Sequence, residues 1–184
     1  MKNLRLLLPS LALAALTASG CWLVSGQFLV SFDLPPSLVV NSATTIAGAS
    51  INLNTISDYK DHKSDLKDLA DCALLGKFTN TGSGSLDVVV YLTPAATPLL
   101  TTKSALDADG TKIHLWGPLK LAAGASRSVG WDESAKLFTK AGKAALVQQV
   151  KGDGQFAIYA VGATAPYSLT LEKGVAVVVI DAGK

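Results

Sequence analysis

The apolar residues of this chain come in short runs with a period of two, and this pattern restricts the fold more than any other feature. The segment Gln27 to Leu34 alternates between apolar and polar residues along most of its length, as a half-buried strand requires. The clearest pair of runs covers residues 73–79 and 86–93. Between them, residues 80–85 consist only of asparagine, threonine, glycine and serine, which favour turns. We therefore expect these two runs to form a β-hairpin.

Similar runs recur along the chain, separated by glycine, proline and other turn residues. The further strands that we expect are 37–40, 51–56, 112–116, 119–121, 127–131, 155–161 and 167–180. One long stretch has helix-forming composition, and it begins at Asp132, which resembles a helix N-cap, with Glu133 in the first turn. About eight strands and one helix near residues 132–150 predict a mainly β protein, an immunoglobulin-like β-sandwich, in a single domain over residues 27–184.

The run Val175 to Ile180 differs from the others because it contains no polar residue. Strands without alternation are typical of central positions with both faces covered. We expect this run to be such a strand. The 164 residues that follow residue 20 suit one domain, since a chain of this size can bury roughly 70% of its unfolded surface.

The first 20 residues have the three-part layout of a secretory signal peptide. Lys2 and Arg5 give a positive start, and the apolar run Leu6 to Ala18 follows. This run is too short to cross roughly 30 Å of hydrocarbon as a helix. A cleavable export signal over residues 1–20 is therefore the interpretation that we adopt.

The end of this signal, Ala18-Ser19-Gly20-Cys21, resembles the lipobox of bacterial lipoproteins. The resemblance covers about the first 21 residues and departs from the family pattern at Ala18, where leucine is commonest. It implies that Cys21 carries a diacylglyceryl group, that a palmitate-type acyl chain is added, and that residues 21–26 are the attachment site and a short tether. Because Trp22 rather than aspartate follows the cysteine, the resemblance favours the outer membrane. The same small residues also fit ordinary signal-peptidase cleavage after Gly20, so that alternative stays open.

The charge of the chain excludes one class of partner. The net charge is +2, but 14 basic and 14 acidic residues remain once Lys2 and Arg5 are removed with the signal. A balanced chain has no basic excess to bind nucleic acid, so none is expected as a partner. If Cys21 is acylated, Cys72 is the one remaining thiol, and its apolar surroundings in the sequence predict a small buried residue rather than a nucleophile.

Two acidic segments are candidate cation sites, and each has a simpler interpretation. Asp58, Asp61, Asp65 and Asp68 recur at intervals of three and four, which would place them on one helical face with oxygen ligands for a hard cation. The interleaved lysines weaken the negative electrostatic field that a cation would need, so a solvated amphipathic turn or helix is the favoured interpretation. Residues 107–110 (Asp-Ala-Asp-Gly) begin like a calcium loop but lack its distal glutamate, and Asp-Gly is ordinary turn chemistry. We expect no metal and no cofactor.

The sequence contains little that points to catalysis. His62 and His114 are the two histidines, and neither has a second ligand at metal-binding spacing. No Gly-x-Ser-x-Gly, Gly-x-Gly-x-x-Gly or phosphate-binding Gly-Lys-Ser/Thr motif occurs. Trp116 and Trp131 could stack on a sugar or peptide, but packing is the commoner role of tryptophan in a small sandwich.

These observations predict a non-enzymatic, lipid-anchored module of the bacterial cell envelope. It would bind a protein or envelope polymer, or serve a structural role, and one variant is strand addition at the run Gln27 to Leu34. The alternative is an envelope hydrolase or carbohydrate-binding protein that uses His114 with nearby loop acids. That alternative requires a carboxylate within hydrogen-bond reach of the imidazole.

Overall fold

The computed structural model describes residues 25–33, 37–42, 44–56, 59–60 and 63–183. Its strands are β1 (Ser25–Asp33), β2 (Ser37–Ser42), β3 (Ile46–Asn52), β4 (Leu66–Asn80), β5 (Leu86–Thr93), β6 (Ile113–Leu121), β7 (Ser126–Val129), β8 (Gln155–Gly162) and β9 (Tyr167–Gly183). The helices with described bounds are α1 (Lys103–Ala108), α2 (Trp131–Leu137) and α3 (Lys140–Lys151). Two 3₁₀ turns cover Leu53–Thr55 and Lys63–Asp65.

The strands form two antiparallel sheets that pack into a β-sandwich. Sheet A has the order β1-β9-β4-β7, with β2 also paired to β9, and sheet B has the order β3-β8-β5-β6. An immunoglobulin domain places its first, second, fifth and fourth strands in one sheet. With β1 and β2 taken as one interrupted strand, the order here is that of an eight-stranded jelly roll. The β-sandwich prediction is therefore confirmed, and its topology is a jelly roll rather than immunoglobulin-like.

Strand β8 shows how sheet B separates two apolar cores. Phe156, Ile158 and Ala160 belong to the main core between the sheets, together with Phe78 of sheet A and Leu92 of sheet B. The intervening Ala157, Tyr159 and Val161 contact a second cluster that includes Leu106 of α1. This alternation is the period of two that a strand imposes. The segment that carries α1 thus forms a small outer layer over sheet B.

The predicted hairpin between residues 73–79 and 86–93 is wrong, although both strands exist. β4 lies in sheet A and β5 lies in sheet B, so residues 81–85 cross between the sheets. The buried Asn80 amide donates to Gly84 O (2.8 Å) and Ala122 O (3.0 Å), and its oxygen accepts from Gly82 N (3.0 Å). Turn composition predicts a change of direction, but the hydrogen bond from Asn80 to Ala122 ties the crossing to the end of β6.

The single helix expected near residues 132–150 is two helices. α2 ends at Leu137 and α3 begins at Lys140, because the connection pairs with the edge of β6. Phe138 bridges to Trp116, and Thr139 N donates to Leu115 O (3.0 Å). The expected N-cap at Asp132 is also wrong, since the cap position is Gly130 and Asp132 lies inside the first turn.

The apolar run of β9 occupies a central position, as its composition predicts. It pairs with β1 on one side and β4 on the other. The two faces of this run are less completely buried than expected. Val177 is buried, whereas Val175, Ala176, Val178 and Val179 are only half-buried. No helix within the described ranges is both long enough and apolar enough to cross a membrane.

Candidate functional site

The predicted lipid attachment residue, Cys21, lies outside the described residues. β1 begins at Ser25, four residues further along the chain. Four extended residues span at most about 14 Å. Any group attached at Cys21 is therefore close to the start of β1.

The aspartate series does not form a helical face in the part of it that the structure describes. Asp58, Asp61 and His62 lie outside the described residues. Asp65 ends a 3₁₀ turn, whereas Asp68 lies in β4 opposite Asp181 of β9. The described residues contain no cluster of three or more His, Cys, Asp or Glu that could hold a metal ion. The helical-face interpretation is thus wrong for the two aspartates that can be placed.

The segment Asp107 to Gly110 is engaged in local contacts. Asp107 forms ion pairs with Lys103 and, at 2.7 Å, with Lys112. The hydrogen bonds from Lys103 and Lys112 hold the pKa of Asp107 below its usual value. Asp109 accepts from Thr111 N (2.8 Å) and Thr111 Oγ1 (2.7 Å). This is the hydrogen bonding of an Asx turn, in agreement with the turn interpretation.

His114 lies near the start of β6, directly opposite Tyr91 of β5. The ring centroids are 5.6 Å apart and the planes are tilted by 43°, a favourable aromatic contact. The Lys112 ammonium lies 5.0 Å from the Tyr91 centroid, within cation–π range. Tyr91 therefore contacts both an imidazole and an ammonium group.

No carboxylate hydrogen bond to the His114 ring is present among the described residues. Its Nε2 is buried and has no hydrogen-bond partner among the described residues. The two acids before His114 in the sequence are engaged elsewhere: Asp107 forms ion pairs with two lysines, and Asp109 accepts hydrogen bonds from Thr111. A general base needs a substrate or an orienting carboxylate within about 3 Å, directly or through one water. The geometry therefore gives the hydrolase alternative no support.

Trp116 has a structural role, as the packing interpretation expected. It is buried and stacks on Phe78 with ring centroids 5.6 Å apart. Its indole Nε1 donates to Ser134 Oγ at 3.3 Å. Cys72 is likewise buried, and burial raises the pKa of its thiol to about 12, so it is not a nucleophile at neutral pH.

One side of the sandwich is closed by the helices. β7 pairs with β4 only over Gly76 to Thr79, and the edge of β4 beyond it is covered by α2 and α3. Ser134 Oγ of α2 accepts from Leu74 N (2.7 Å), and Lys143 of α3 forms an ion pair with Asp71. The same helices cover β6 through the connection described above.

The opposite side of sheet A ends in β1. We use "β1 edge" for the backbone edge of Ser25–Asp33 that faces away from β9; no described strand pairs with it. Natural proteins protect such edges with charged residues, proline, bulges or a covering element. Residues 25–32 contain no charged residue and no proline. The β1 edge is therefore the strongest candidate binding surface among the described residues.

Sequence reasoning pointed to the β1 edge but missed the residues that close the other side. The period of two at Gln27 to Leu34 identified the strand, and strand addition there was one of the expected variants. Ser134 and the ion pair between Asp71 and Lys143 gave no sequence signal. A serine or an exposed-looking aspartate is common in any turn or helix, and only the tertiary fold shows that these are buried or paired.

Comparisons with known proteins add no family. The chain matches no known protein-family model and no curated protein sequence. Among solved structures, it is similar to dimeric latent PorU from Porphyromonas gingivalis (TM-score 0.30, 6% identity), covering 87% of this chain and 13% of that chain. It is also similar to Desmodium yellow mottle tymovirus (TM-score 0.25, 10% identity), covering 86% of this chain and 81% of that one. At these TM-scores, neither likeness supports a statement about function.

Proposed function

We propose that this protein is a non-enzymatic binding or structural module of the bacterial cell envelope, exported and held at the outer membrane by lipid on Cys21. The observation that carries the proposal is the position of the β1 edge. An edge strand whose outer side pairs with no described strand begins four residues after the proposed attachment site. Attachment there would keep the start of β1 within about 14 Å of the acylated residue.

The chemistry of this surface suits recognition through the backbone. An edge strand offers alternating N–H and C=O groups to an extended partner strand, and main-chain hydrogen bonds supply the affinity. The partner class that we propose is therefore a protein with an available strand. The balance of charges in the chain after residue 20 gives no support for nucleic acid as a partner.

Membrane fractionation tests the anchoring step. Cys21→Ser should release the protein from membranes into the soluble envelope fraction, because two or more acyl chains are needed for stable anchoring and the variant has none. Cys72→Ala is the matched control, since it removes the other cysteine and should leave membrane association unchanged. Retention of the Cys21→Ser variant on membranes would contradict the proposal.

A further inference from the structure

From the asymmetry of the sandwich we infer that the β1 edge pairs with the β1 edge of a second copy, antiparallel and about a two-fold axis at Leu29. This deepens the proposed function by naming the partner, and it is tested separately from lipid attachment. The β4 and β6 edges are covered by α2, α3 and their connection. No described strand pairs with the outer edge of β1, nor with that of β3, which is the shorter of these two edge strands.

The composition of β1 favours a second copy over a partner of different chemistry. From Ser25 to Phe32 the strand has no charge with which to select a particular partner. A second copy offers an uncharged edge of the same length. Two-fold pairing also uses both β1 edges at once, so the assembly stops at two copies.

The position of the one charge favours the antiparallel arrangement. Asp33 is the only charged residue of β1. Parallel pairing in register would place Asp33 beside Asp33 of the second copy, and directly opposed like charges are destabilising. Antiparallel pairing about Leu29 places Asp33 opposite Ser25 and separates the two aspartates by roughly 27 Å along the strand. Sheet A would then continue through β9, β1 and their copies as one sheet.

The register gives a charge-swap test. Pairing about Leu29 places Gln27 opposite Ser31 of the second copy, about 5 Å away between Cβ atoms. Within one copy these residues are four apart along the strand, roughly 13 Å, and interact weakly. The double variant Gln27→Lys with Ser31→Lys therefore opposes like charges twice across the interface. Gln27→Lys with Ser31→Glu opposes unlike charges twice.

The measurement is the mass of the purified protein in detergent by light scattering, with the detergent contribution subtracted, over a range of micromolar concentrations. We expect a dimer for the unchanged protein. The lysine–lysine variant should weaken dimerisation roughly tenfold or more, and the lysine–glutamate variant should retain it. Ala49→Lys, an exposed position on β3 at the edge of sheet B, is the control and should leave the mass unchanged.

Three results would overturn the inference. These are a monomer throughout the concentration range, an equal effect of the two double variants, or dissociation by Ala49→Lys. A thermal melt of each variant shows whether it is folded. If the lysine–lysine variant is unfolded, the mass of the lysine–glutamate variant is compared with that of the unchanged protein instead. A monomer that remains membrane-bound through Cys21 would overturn self-pairing while leaving the anchoring proposal intact.

Discussion

At Ser134, one hydroxyl serves two donors that belong to different elements. The residue is fully buried, and its Oγ accepts from Leu74 N in β4 and from the Trp116 indole in β6. It thereby links sheet A, sheet B and α2 at one atom. Nothing in the local sequence distinguishes this serine from its exposed neighbours. Its role depends on contacts with distant parts of the chain, and Leu74, for example, lies 60 residues away.

Ser134→Ala should lower the free energy of unfolding by about 2–4 kcal/mol, because two buried donors lose their acceptor. Urea denaturation measures the change. Ser128→Ala, at an exposed position of β7, is the matched control and should stay within about 0.5 kcal/mol of the unchanged protein. Equal effects of the two substitutions would show that the Ser134 hydroxyl is not needed for stability.

Asp71 makes stability depend on pH. Partial burial by itself would raise the pKa of this carboxyl, but hydrogen bonds from Lys143 and Cys72 N, together with the Lys143 charge, bring it below the usual value. A carboxyl whose pKa is lower in the folded state stabilises the protein above its unfolded pKa of about 3.9, and this contribution is lost as pH falls through the folded pKa.

Asp71→Asn keeps an oxygen that can accept from Cys72 N but removes the charge. We expect its melting temperature to be below that of the unchanged protein at pH 7, with the difference shrinking as the pH falls below about 3.9 and through the lower pKa of folded Asp71. Thermal melts of both proteins between these pH values measure it. A difference that is independent of pH would exclude the ion pair as the cause.

Burial should also keep the Cys72 thiol unreactive. With a pKa of about 12, almost no thiolate is present at pH 8, and iodoacetamide requires thiolate. We expect no alkylation of Cys72 in the folded protein and rapid alkylation in urea. Peptide mass spectrometry locates the label, and fast labelling of Cys72 in the folded protein would contradict the buried position.

At the scale of elements, α3 lies unusually close to β6. A Cβ on Gly142 would be 2.6 Å from Leu115 Cα and 2.7 Å from the carbonyl oxygens of His114 and Leu115. These are backbone atoms that cannot rotate away. Glycine at this position of the helix is therefore required by the close approach.

Gly142→Ala should destabilise the protein by about 1–3 kcal/mol through overpacking, although helix propensity alone would predict stabilisation by up to about 1 kcal/mol. Urea denaturation shows whether the free energy of unfolding rises or falls. Ala144→Gly, at an exposed position of the same helix, is the companion variant and should cost about 1 kcal/mol through propensity only. Stabilisation by Gly142→Ala would show that α3 can move away from β6.

The elements also show where prediction from sequence stops. Alternation located β1, β5 and β8 well, because the period of two follows directly from strand geometry. The sequence did not predict the sheet to which each strand belongs, as the crossing at residues 81–85 shows. Turn residues predict that the chain reverses, but not the strand with which it then pairs. Likewise, helix composition at residues 132–150 was correct, but the break at Thr139 depends on hydrogen bonds to β6.

At the scale of the whole molecule, the sandwich has one side closed by helices and one side that ends in β1, whose outer edge pairs with no strand among the described residues. Helices α2 and α3 protect the closed side, where β7 is too short to do so. The β-sandwich class could be predicted from the sequence, since frequent short strands leave few other arrangements. The jelly-roll order and the asymmetry of the edges required the structure, because both are set by pairing between distant segments.

The intact mass of the protein recovered from the membrane fraction shows whether Cys21 carries a lipid anchor. We expect a chain that begins at Cys21 and carries added acyl mass, and a Cys21→Ala version that lacks this mass and is mislocalised. An unmodified chain in the soluble fraction would contradict the anchor, leave an exported free protein, and return secreted-enzyme assays to first priority.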